Sequence, residues 1–414
     1  MQTKDVTKVT KCRICGASGL KKFLSLGPLP TPNGYLTTNQ LKQHEPEYPL
    51  DIGRCKKCGL VQLTQIVRPD IMFTNYKYIP SASKTMVKHF DEMASEIINE
   101  FRLTKKELVI DIGSNDGTLL KSFKKRGMRV LGIDPAENLA KIATKEGVPT
   151  IPEFFTSKLA KKVVKKYGKA KVVTGTNVVA HIANLVDLFK GVELLLANDG
   201  VFVAEFPYLV DLLDNVEFDT IYQEHLSYFS IKPLIYLMKR SGLHISDVRK
   251  QDVHGGSIRV FVKKGSAKKM ADSVKGFLAL EESKNIYKDK TYKEFADSVE
   301  EKKNQLSNLL RILKKSNYKI VGYGASARGN ILLNYFGITN KTLDYIVDST
   351  PYKQGLFTPG HHISIVSESK ILKDMPDYVL LLAWNFKDEI LKKQNAYRIK
   401  GGKFILIVPD VEII

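Results

Sequence analysis

The sequence predicts an α/β protein in which a small metal-stabilised domain precedes two doubly wound units. Strand and helix patterns alternate over residues 107–263, and a second strand–glycine–helix pattern begins at residue 319. Such alternation is typical of parallel sheets whose strands are joined by helices. All four cysteines of the 414-residue chain lie within its first 58 residues. We therefore divide the chain into three domains, at residues 1–80, 81–265 and 266–414.

The N-terminal domain is expected to consist of short strands and turns around a metal site. Two Cys-x-x-Cys pairs, Cys12 with Cys15 and Cys55 with Cys58, are each followed by glycine. Four thiolates can complete a tetrahedral zinc site that has no open position, so the metal would be structural. Two disulfides or a redox Cys-x-x-Cys are the alternatives. Disulfides need an oxidising compartment, and the N-terminus lacks the apolar core of a signal peptide. We therefore favour zinc and a cytoplasmic protein.

The charge of the chain restricts its partners. The formal net charge is +20, and the lysines are spread along predicted helices without an arginine-rich arm or an RNA-binding aromatic motif. We therefore expect no nucleic-acid partner, and we attribute the charge to a lysine-rich proteome, with attraction of an anionic substrate as a secondary benefit. Because apolar runs stay below the roughly 18 residues of a membrane span, we expect no membrane partner. We expect a monomer.

The middle domain is predicted to be a doubly wound sheet behind a first helix at about Lys84 to Phe101. The expected strands are Glu107 to Ile112, Arg129 to Ile133, Lys171 to Thr174 and Gly200 to Glu205. The expected helices are Gly117 to Lys125, Pro135 to Glu146 and Leu185 to Ala197. Two further strands, His244 to Gln251 and Ser257 to Lys263, are close in sequence. They predict an antiparallel pair at the edge of the sheet.

The C-terminal domain is predicted to begin with a helical arm at residues 264–317 and to continue as a second α/β unit. Its strands are expected at Lys319 to Gly324, Tyr345 to Asp348, Tyr378 to Leu382 and Lys403 to Ile407. The glycine turn after the first of them could hold a phosphate at the helix N-terminus, with Arg328 adding charge and Asp348 placed to bind a ribose. A domain of this shape without a ligand is the alternative.

The first glycine-rich turn, from Asp111 to Gly117, indicates a cofactor site. It lacks the Gly-x-Gly-x-x-Gly spacing of a pyrophosphate loop. Its carboxylates Asp111 and Asp116 would repel a pyrophosphate but suit a ligand that carries an amine and a sulfonium. Asp134, at the end of the next strand, can accept hydrogen bonds from both hydroxyls of a ribose. This pattern resembles the motifs of class I S-adenosylmethionine methyltransferases; a Rossmann fold for a nicotinamide is the alternative.

The segment after the strand that ends at Glu205 carries the residues suited to acid–base chemistry. Loops at the carboxyl ends of strands hold the active sites of doubly wound folds. His225 can take up and release protons near neutral pH. Glu224 could orient or stabilise it, although neighbouring residues on a strand point apart. Tyr222 adds a hydroxyl group.

Five parts of the chain together resemble the C-methyltransferases of deoxysugar biosynthesis. They are the four-cysteine N-terminus, Asp111 to Gly117, Asn177 to Ile182, Tyr222 to Ser230 and His254 to Arg259. The resemblance spans essentially the whole chain. It implies an enzyme that uses S-adenosylmethionine to methylate a ring carbon of a nucleotide-linked keto-sugar, usually a dTDP sugar.

The resemblance also implies roles for single residues. His225 would be the general base that removes a proton beside the sugar ketone, with Glu224, Tyr222 and Tyr76 as its active-site neighbours. His181 would be a second acid/base candidate. The expected cofactor-binding residues are Asp111, Gly113, Asn115, Asp116, Gly117, Asp134, Pro135 and Asn177. A methyltransferase of another small anionic metabolite, or an inactive zinc-bearing binding protein, are the alternatives.

Overall fold

The fold is known from a computed structural model that describes residues 4–74, 76, 78–253 and 255–414. His254, part of one of the motifs above, lies outside the described residues, as do the two neighbours of Tyr76. Within the described ranges, no helix is both long and apolar enough to cross a membrane.

The N-terminal part is built on an antiparallel sheet. Its elements are β1 (Val6–Lys8), β2 (Leu20–Leu29), β3 (Tyr48–Cys55), β4 (Val61–Leu63), β5 (Gln65–Val67) and α1 (Pro69–Phe73). The expectation of short strands was wrong for β2 and β3, which are ten and eight residues long. Bulges in β2, which lies at the sheet edge, let pairing continue to Pro28, where a residue without an N–H is tolerated.

The middle part contains a seven-stranded sheet. Its elements are α2 (Lys84–Glu100), β6 (Leu108–Ile112), α3 (Thr118–Lys125), β7 (Arg129–Ile133), α4 (Glu137–Lys145), β8 (Thr150–Ile151), α5 (Ser157–Tyr167), β9 (Ala170–Thr176), α6 (Leu185–Leu195), β10 (Leu196–Pro207), α7 (Leu209–Asp214), β11 (Ser227–Tyr228), α8 (Ile231–Arg240), β12 (Leu243–Gln251) and β13 (Ser257–Lys264). The strand order is β12-β13-β10-β9-β6-β7-β8. Strands β6 to β10 run parallel, and β13 is antiparallel to both of its neighbours. The predicted parallel sheet with an antiparallel edge pair is confirmed.

Helices cover both faces of this sheet, which explains why its central strands are apolar throughout. All five residues of β6 are buried. On one face, Phe90 and Phe123 pack against Val109. On the other face, Leu188 and Phe189 pack in the same core as Ile110, the next residue of the strand. A strand that is buried on both faces has no alternation of polar and apolar residues. The first polar side chains along it therefore appear near its end, where they face the site.

The C-terminal part is a second parallel sheet behind two helices. Its elements are α9 (Asp272–Ser283), α10 (Asp289–Lys315), β14 (Ile320–Tyr323), α11 (Ala327–Phe336), β15 (Ile346–Asp348), β16 (Ile365–Ser367), α12 (Lys370–Asp374), β17 (Tyr378–Leu381), α13 (Lys387–Lys393), α14 (Asn395–Ile399), β18 (Lys403–Leu406) and β19 (Glu412–Ile413). The strand order is β16-β15-β14-β17-β18-β19, with only β19 antiparallel to its neighbour.

The N-terminal sheet takes its fourth strand from the middle of the chain. Strand β11 pairs antiparallel with β4, so that Ser227 lies opposite Gln62. Because β11 begins two residues after His225, the metal-binding part and the predicted chemistry segment share one sheet.

Candidate active site

One cavity of about 470 Å³ lies between the two parallel sheets. The glycine-rich turn after β6 lines one end of the cavity, and the turn after β14 lines the other. The side chains of Tyr76, His181, Tyr222 and His225 line it as well. The carboxyl ends of both sheets therefore face a single space that also holds the predicted acid–base groups.

The turn after β6 brings backbone close to this cavity. Gly113 has a φ of +71°, and a Cβ atom there would lie 2.6 Å from Cγ2 of Val178. Its N–H bonds to the carbonyl of Ile133 in β7. No residue with a side chain fits this position without a shift of its neighbour, so glycine leaves the cavity wall open for a ligand.

Asp134, at the end of β7, organises the turn. Its Oδ2 accepts a hydrogen bond from the N–H of Asn115 at 2.8 Å, and its Oδ1 accepts one from the N–H of Ala136 at 2.8 Å. Burial raises the pKa of this carboxyl. Asp134, Pro135 and Asn115 all line the cavity, so a ribose placed there meets a carboxylate fixed by backbone donors.

Asp111, at the end of β6, is the second carboxylate of this wall. It is buried, and its Oδ1 accepts a hydrogen bond from Oγ1 of Thr174 at 2.7 Å. Burial raises its pKa to about 7. A buried carboxylate of this kind is stabilised by a cationic ligand, because the ligand supplies an opposite charge.

The other predicted cofactor residues divide into two groups. Asn177, with a φ of +54°, lines the cavity. Asp116 and Gly117 are not among the lining residues. The carboxylate of Asp116 instead accepts hydrogen bonds from the N–H and the hydroxyl of Thr118, so it caps the start of α3. Its role as a cofactor ligand stays a prediction.

Apolar side chains that sequence reasoning missed complete this end of the cavity. Phe154, Phe155, Met86 and Phe90 line it. The pair of phenylalanines lies in the loop before α5, and the other two lie on α2. A flat aromatic base suits such a wall. A run of two aromatic residues in a loop is the one sequence signal that could have found part of it.

His225 is held in one tautomer by its hydrogen bonds. Its Nδ1 lies 2.9 Å from the carbonyl oxygen of Thr220, and its Nε2 lies 2.7 Å from the hydroxyl of Tyr222. A carbonyl only accepts, so Nδ1 carries the proton and Nε2 is the acceptor. The unprotonated nitrogen that a general base requires is thus set by the backbone of residue 220.

Tyr222 is a hydroxyl donor beside this nitrogen. Burial, and then the nearby Glu224 carboxylate, raise its pKa well above the usual value. Tyr222 therefore stays protonated at neutral pH. Its ring lies 3.9 Å from the imidazole of His225, measured between centroids, so the two rings are in direct contact.

The hydrogen bonds of Glu224 join it to the N-terminal part of the chain, and its role as a group that orients His225 stays a prediction. Its Oε2 accepts a hydrogen bond from Tyr76 and its Oε1 accepts one from Asn33, both at 2.7 Å. Burial raises its pKa to about 7. Glu224 lies in a tight turn, in which the N–H of His225 bonds to the carbonyl of Tyr222 at 2.9 Å. Through its hydrogen bond from Tyr76, Glu224 fixes that side chain at the cavity wall.

Asn33 is a site residue that sequence reasoning missed. It lines the cavity and lies 191 residues from the carboxylate that it contacts. The carbonyl of Pro32 accepts a hydrogen bond from Asn330 of α11, and the hydroxyl of Tyr35 donates to the carbonyl of Ala325. The loop after β2 therefore joins the chemistry segment to the second glycine turn.

His181 lies beside His225 and is neutral. The two imidazole centroids are 5.1 Å apart, and His181 stacks on Phe73 at 5.5 Å. Burial lowers its pKa to about 4. A neutral imidazole at pH 7 can accept or donate a hydrogen bond to a substrate, but it is a poor proton donor.

The second glycine turn repeats the architecture of the first. Oδ2 of Asp348, at the end of β15, accepts from the N–H of Ala325, and its Oδ1 accepts from the N–H of Thr350. Gly324 has a φ of +89°, and a Cβ there would lie 2.4 Å from that of Ala383. Arg328, Lys353 and Lys393 line this end of the cavity.

The four cysteines meet in one cluster. Their Sγ atoms all lie within 4.8 Å of one another, and the pairs Cys12–Cys58 and Cys15–Cys55 are 3.5 Å apart. Tetrahedral Zn–S bonds of about 2.3 Å place sulfurs about 3.8 Å apart, so the cluster fits zinc. The cysteines are not disulfide-bonded. Gly16 and Gly59 bond back to the carbonyls of Cys12 and Cys55 in the same way.

Comparison with known proteins gives the family of the chain. Residues 12–73 match a family model described as "Putative zinc binding domain", residues 86–248 a methyltransferase domain, and residues 252–409 a C-methyltransferase C-terminal domain. The C-methyltransferase NovU of Streptomyces niveus is 37% identical over 410 residues, which cover 99% of this chain and 98% of that protein.

The chain belongs to the C-methyltransferases. It is thus an S-adenosylmethionine-dependent enzyme of the class I methyltransferase fold with a four-cysteine zinc-binding domain. The alternatives of a nicotinamide enzyme and of an inactive binding protein find no support. The domain boundaries at residues 80 and 265 stay a prediction.

Solved structures show more distant likenesses. Magnesium protoporphyrin IX methyltransferase of Synechocystis PCC 6803 is 14% identical, over 44% of this chain and 83% of that one, with a TM-score of 0.34. An S-adenosylmethionine-dependent methyltransferase of Clostridium acetobutylicum is 16% identical, over 44% of this chain and 92% of that one, with a TM-score of 0.35. At such scores these likenesses carry no argument about the site of this C-methyltransferase.

Proposed function

We propose that this C-methyltransferase acts on a keto-deoxysugar linked to a nucleotide such as dTDP, and that it methylates a ring carbon beside the ketone. The observation that carries the proposal is the single cavity between the two glycine-rich turns, with the His225–Tyr222 pair on its wall. S-adenosylmethionine at one end and a nucleotide-linked substrate at the other would meet at this pair.

The end formed by the second turn supports an anionic, nucleotide-bearing substrate. Three cationic side chains line it, each in an ion pair: Lys353 with Asp348, Lys393 with Glu368 and Arg328 with Glu217. Helix α11 begins at this wall, and the N-terminus of a helix favours phosphate. Tyr352 adds an aromatic ring to the same wall. A diphosphate and a base therefore meet charge, a helix N-terminus and an aromatic face.

The end formed by the first turn is suited to S-adenosylmethionine. Asp134 would hold the ribose, Asp111 would face the cationic part, and Phe154 with Phe155 would pack on the base. When bound, the cofactor supplies an electrophilic methyl group. The residues of the protein have to make the acceptor carbon nucleophilic and hold it in line, and placement of this kind contributes roughly 7–11 kcal/mol.

We assign the proton transfer to His225. A carbon beside a ketone becomes nucleophilic when its proton leaves and the carbonyl oxygen takes up the negative charge. Nε2 of His225 accepts that proton, and the hydrogen bond from Nδ1 to the carbonyl of Thr220 stabilises the imidazolium that results.

The oxygen that becomes negative needs a donor. Tyr222 and Tyr76 are protonated hydroxyls on the same wall, because burial raises both of their pKa values. On arrival of the substrate, the hydroxyl of Tyr222 turns from Nε2 to the ketone oxygen. That movement frees the base and supplies the donor at the same moment.

The proposal is tested by a screen of nucleotide-linked 4-keto sugars with S-adenosylmethionine labelled with ¹³C at the methyl group. We expect NMR to detect a methyl group bonded to a ring carbon in at least one product, and no product from the same sugar without its nucleotide. Methylation at oxygen or nitrogen, or equal turnover of the free sugar, would contradict the proposal.

A further inference from the structure

The loop between Cys12 and Cys15 contacts the segment that carries His225. Nη1 of Arg13 donates a hydrogen bond of 2.5 Å to the carbonyl oxygen of Leu226. The N–H of Leu63, in β4, donates to the same oxygen at 3.1 Å. Because Leu226 directly follows His225, the orientation of this carbonyl constrains the backbone of the proposed base.

Leu226 is held from two sides. Its N–H donates to the carbonyl of Ala180 at 2.8 Å, next to His181 on the cavity wall. Its carbonyl is bonded to the metal-binding part, as above. Its side chain is 2% exposed. The residue after the base is therefore fixed between the methyltransferase sheet and the cysteine-bearing loop.

The cysteine-bearing loop is itself well anchored. The N–H of Arg13 donates to Oε1 of Gln62 at 2.9 Å, and Gln62 lies opposite Ser227 in the β4–β11 pair. Zinc held by Cys12 and Cys15 would fix the loop on both sides of Arg13. Zinc bound by four thiolates is an anionic group, and a guanidinium beside it is a matched counter-charge.

The guanidinium of Arg13 lies where its desolvation costs free energy. Nε and Nη2 of Arg13 are buried and have no hydrogen-bond partner among the residues that the structure describes. A buried cation with a single hydrogen bond is expensive to desolvate. An apolar side chain would fill the same space at less cost, so the features that an arginine supplies here are the bond to Leu226 and the counter-charge to the thiolates.

We propose that Arg13 is a positioning residue for His225, through which the zinc-binding loop sets the base of a different domain. The inference rests on the role proposed for His225. The Arg13 side chain bonds the metal-binding loop to the carbonyl of Leu226, the residue after the base. Without this bond His225 can shift in the cavity, while the zinc site, the cofactor-binding wall and the fold are retained.

The test compares Arg13→Met with Arg240→Met. Methionine keeps an unbranched apolar stem and removes the charge. Nη1 of Arg240, in α8, donates to the carbonyl of Ile14 in the same cysteine-bearing loop. Arg240 thus supports the loop without a described bond to Leu226, and its variant controls for loss of loop stability.

Five quantities are measured on the full-length, zinc-loaded proteins: zinc content, affinity for S-adenosylmethionine, hydrogen exchange of residues 220–230, kcat and KM. For Arg13→Met we expect full zinc content, unchanged cofactor affinity and faster exchange at the amide of Leu226. We expect kcat to fall about tenfold to a hundredfold with KM near that of the wild type, as for a misplaced catalytic group. Arg240→Met keeps the wild-type kcat.

Wild-type exchange at Leu226 in Arg13→Met would overturn the proposal, and so would equal losses of kcat in the two variants. Wild-type turnover by His225→Asn would instead overturn the proposed function. The exchange measurement does not depend on turnover, so the two failures are distinguishable.

Discussion

The hydroxyl of Tyr222 lies 2.7 Å from Nε2 of His225, and both side chains line the cavity between the two parallel sheets. The opposite nitrogen of the imidazole is bonded to the carbonyl of Thr220. The base nitrogen is therefore covered by the group that we assign to the developing oxyanion. A substrate ketone that attracts the hydroxyl uncovers the base.

Replacement of Tyr222 by phenylalanine tests this arrangement. We expect kcat to fall about a hundredfold, the usual cost of one lost oxyanion donor, while the affinity for S-adenosylmethionine stays unchanged. Steady-state kinetics and calorimetry measure the two quantities. Tyr345→Phe is the control, because the hydroxyl of Tyr345 donates to Asp374 in the C-terminal part and its side chain is not among those that line the cavity. Equal kcat values for the two variants would contradict the assignment.

Replacement of Asn33 tests the role of the Glu224 carboxylate. Asn33 and Tyr76 donate to this buried carboxylate, and burial raises its pKa to about 7 although both bonds lower it. The charge of this carboxylate in turn raises the pKa values of Tyr35 and Tyr222, for which burial is the larger cause. Loss of the Asn33 donor favours the protonated form, so the acid limb of the kcat/KM profile should move to higher pH in Asn33→Ala. Asn33→Asp, which adds a second negative charge, should move it further. Unchanged profiles in both variants would refute this role.

The affinity for S-adenosylmethionine should depend on the protonation of Asp111. Burial raises the pKa of this group to about 7, so the carboxyl is neutral below that pH and ionised above it. A cationic ligand binds the ionised form, so affinity should rise with pH through about 7 and binding should release a proton. Titration calorimetry in two buffers of different ionisation enthalpy measures that proton. Asp111→Asn should bind more weakly and show no such release; the same pH dependence in this variant would assign it to another group.

The four-cysteine cluster should hold one zinc ion per chain. A structural zinc site stabilises its fold by on the order of 10 kcal/mol. We expect Cys58→Ser to lose most of its zinc and to unfold at a lower temperature than the wild type. Metal analysis and calorimetry measure this, with the chelated and reconstituted wild type as the control. Mass spectrometry that finds two disulfides in the native protein would contradict the assignment.

The elements that follow local rules could be predicted from the sequence. Strand β7 was expected at Arg129 to Ile133 and lies there. A glycine before this apolar run and an Asp-Pro after it mark both ends of the strand. The four cysteines could be predicted to meet, since their spacing serves one cation. Asp134 could be predicted to lie at the first turn, because chain order puts the ends of β6 and β7 side by side.

Contacts between distant parts of the chain could not be predicted. Asn33 lies in a proline-rich loop, and no local pattern connects it to Glu224. The pairing of β11 with β4 depends on two residues on one side, which is too short for a strand signal. The direction of Glu224 depends on the backbone of one loop. Each of these was decided by packing between domains, which hydrophobic periodicity does not encode.

Hydrogen exchange at the carbon of the substrate tests the account most directly. The keto-sugar nucleotide is incubated with enzyme and S-adenosylhomocysteine in D₂O, and NMR follows loss of the proton beside the ketone. We predict rapid exchange with the wild type, and exchange no faster than without enzyme for His225→Asn, although this variant still binds the cofactor product. Wild-type exchange by His225→Asn would contradict the claim that this imidazole removes the proton.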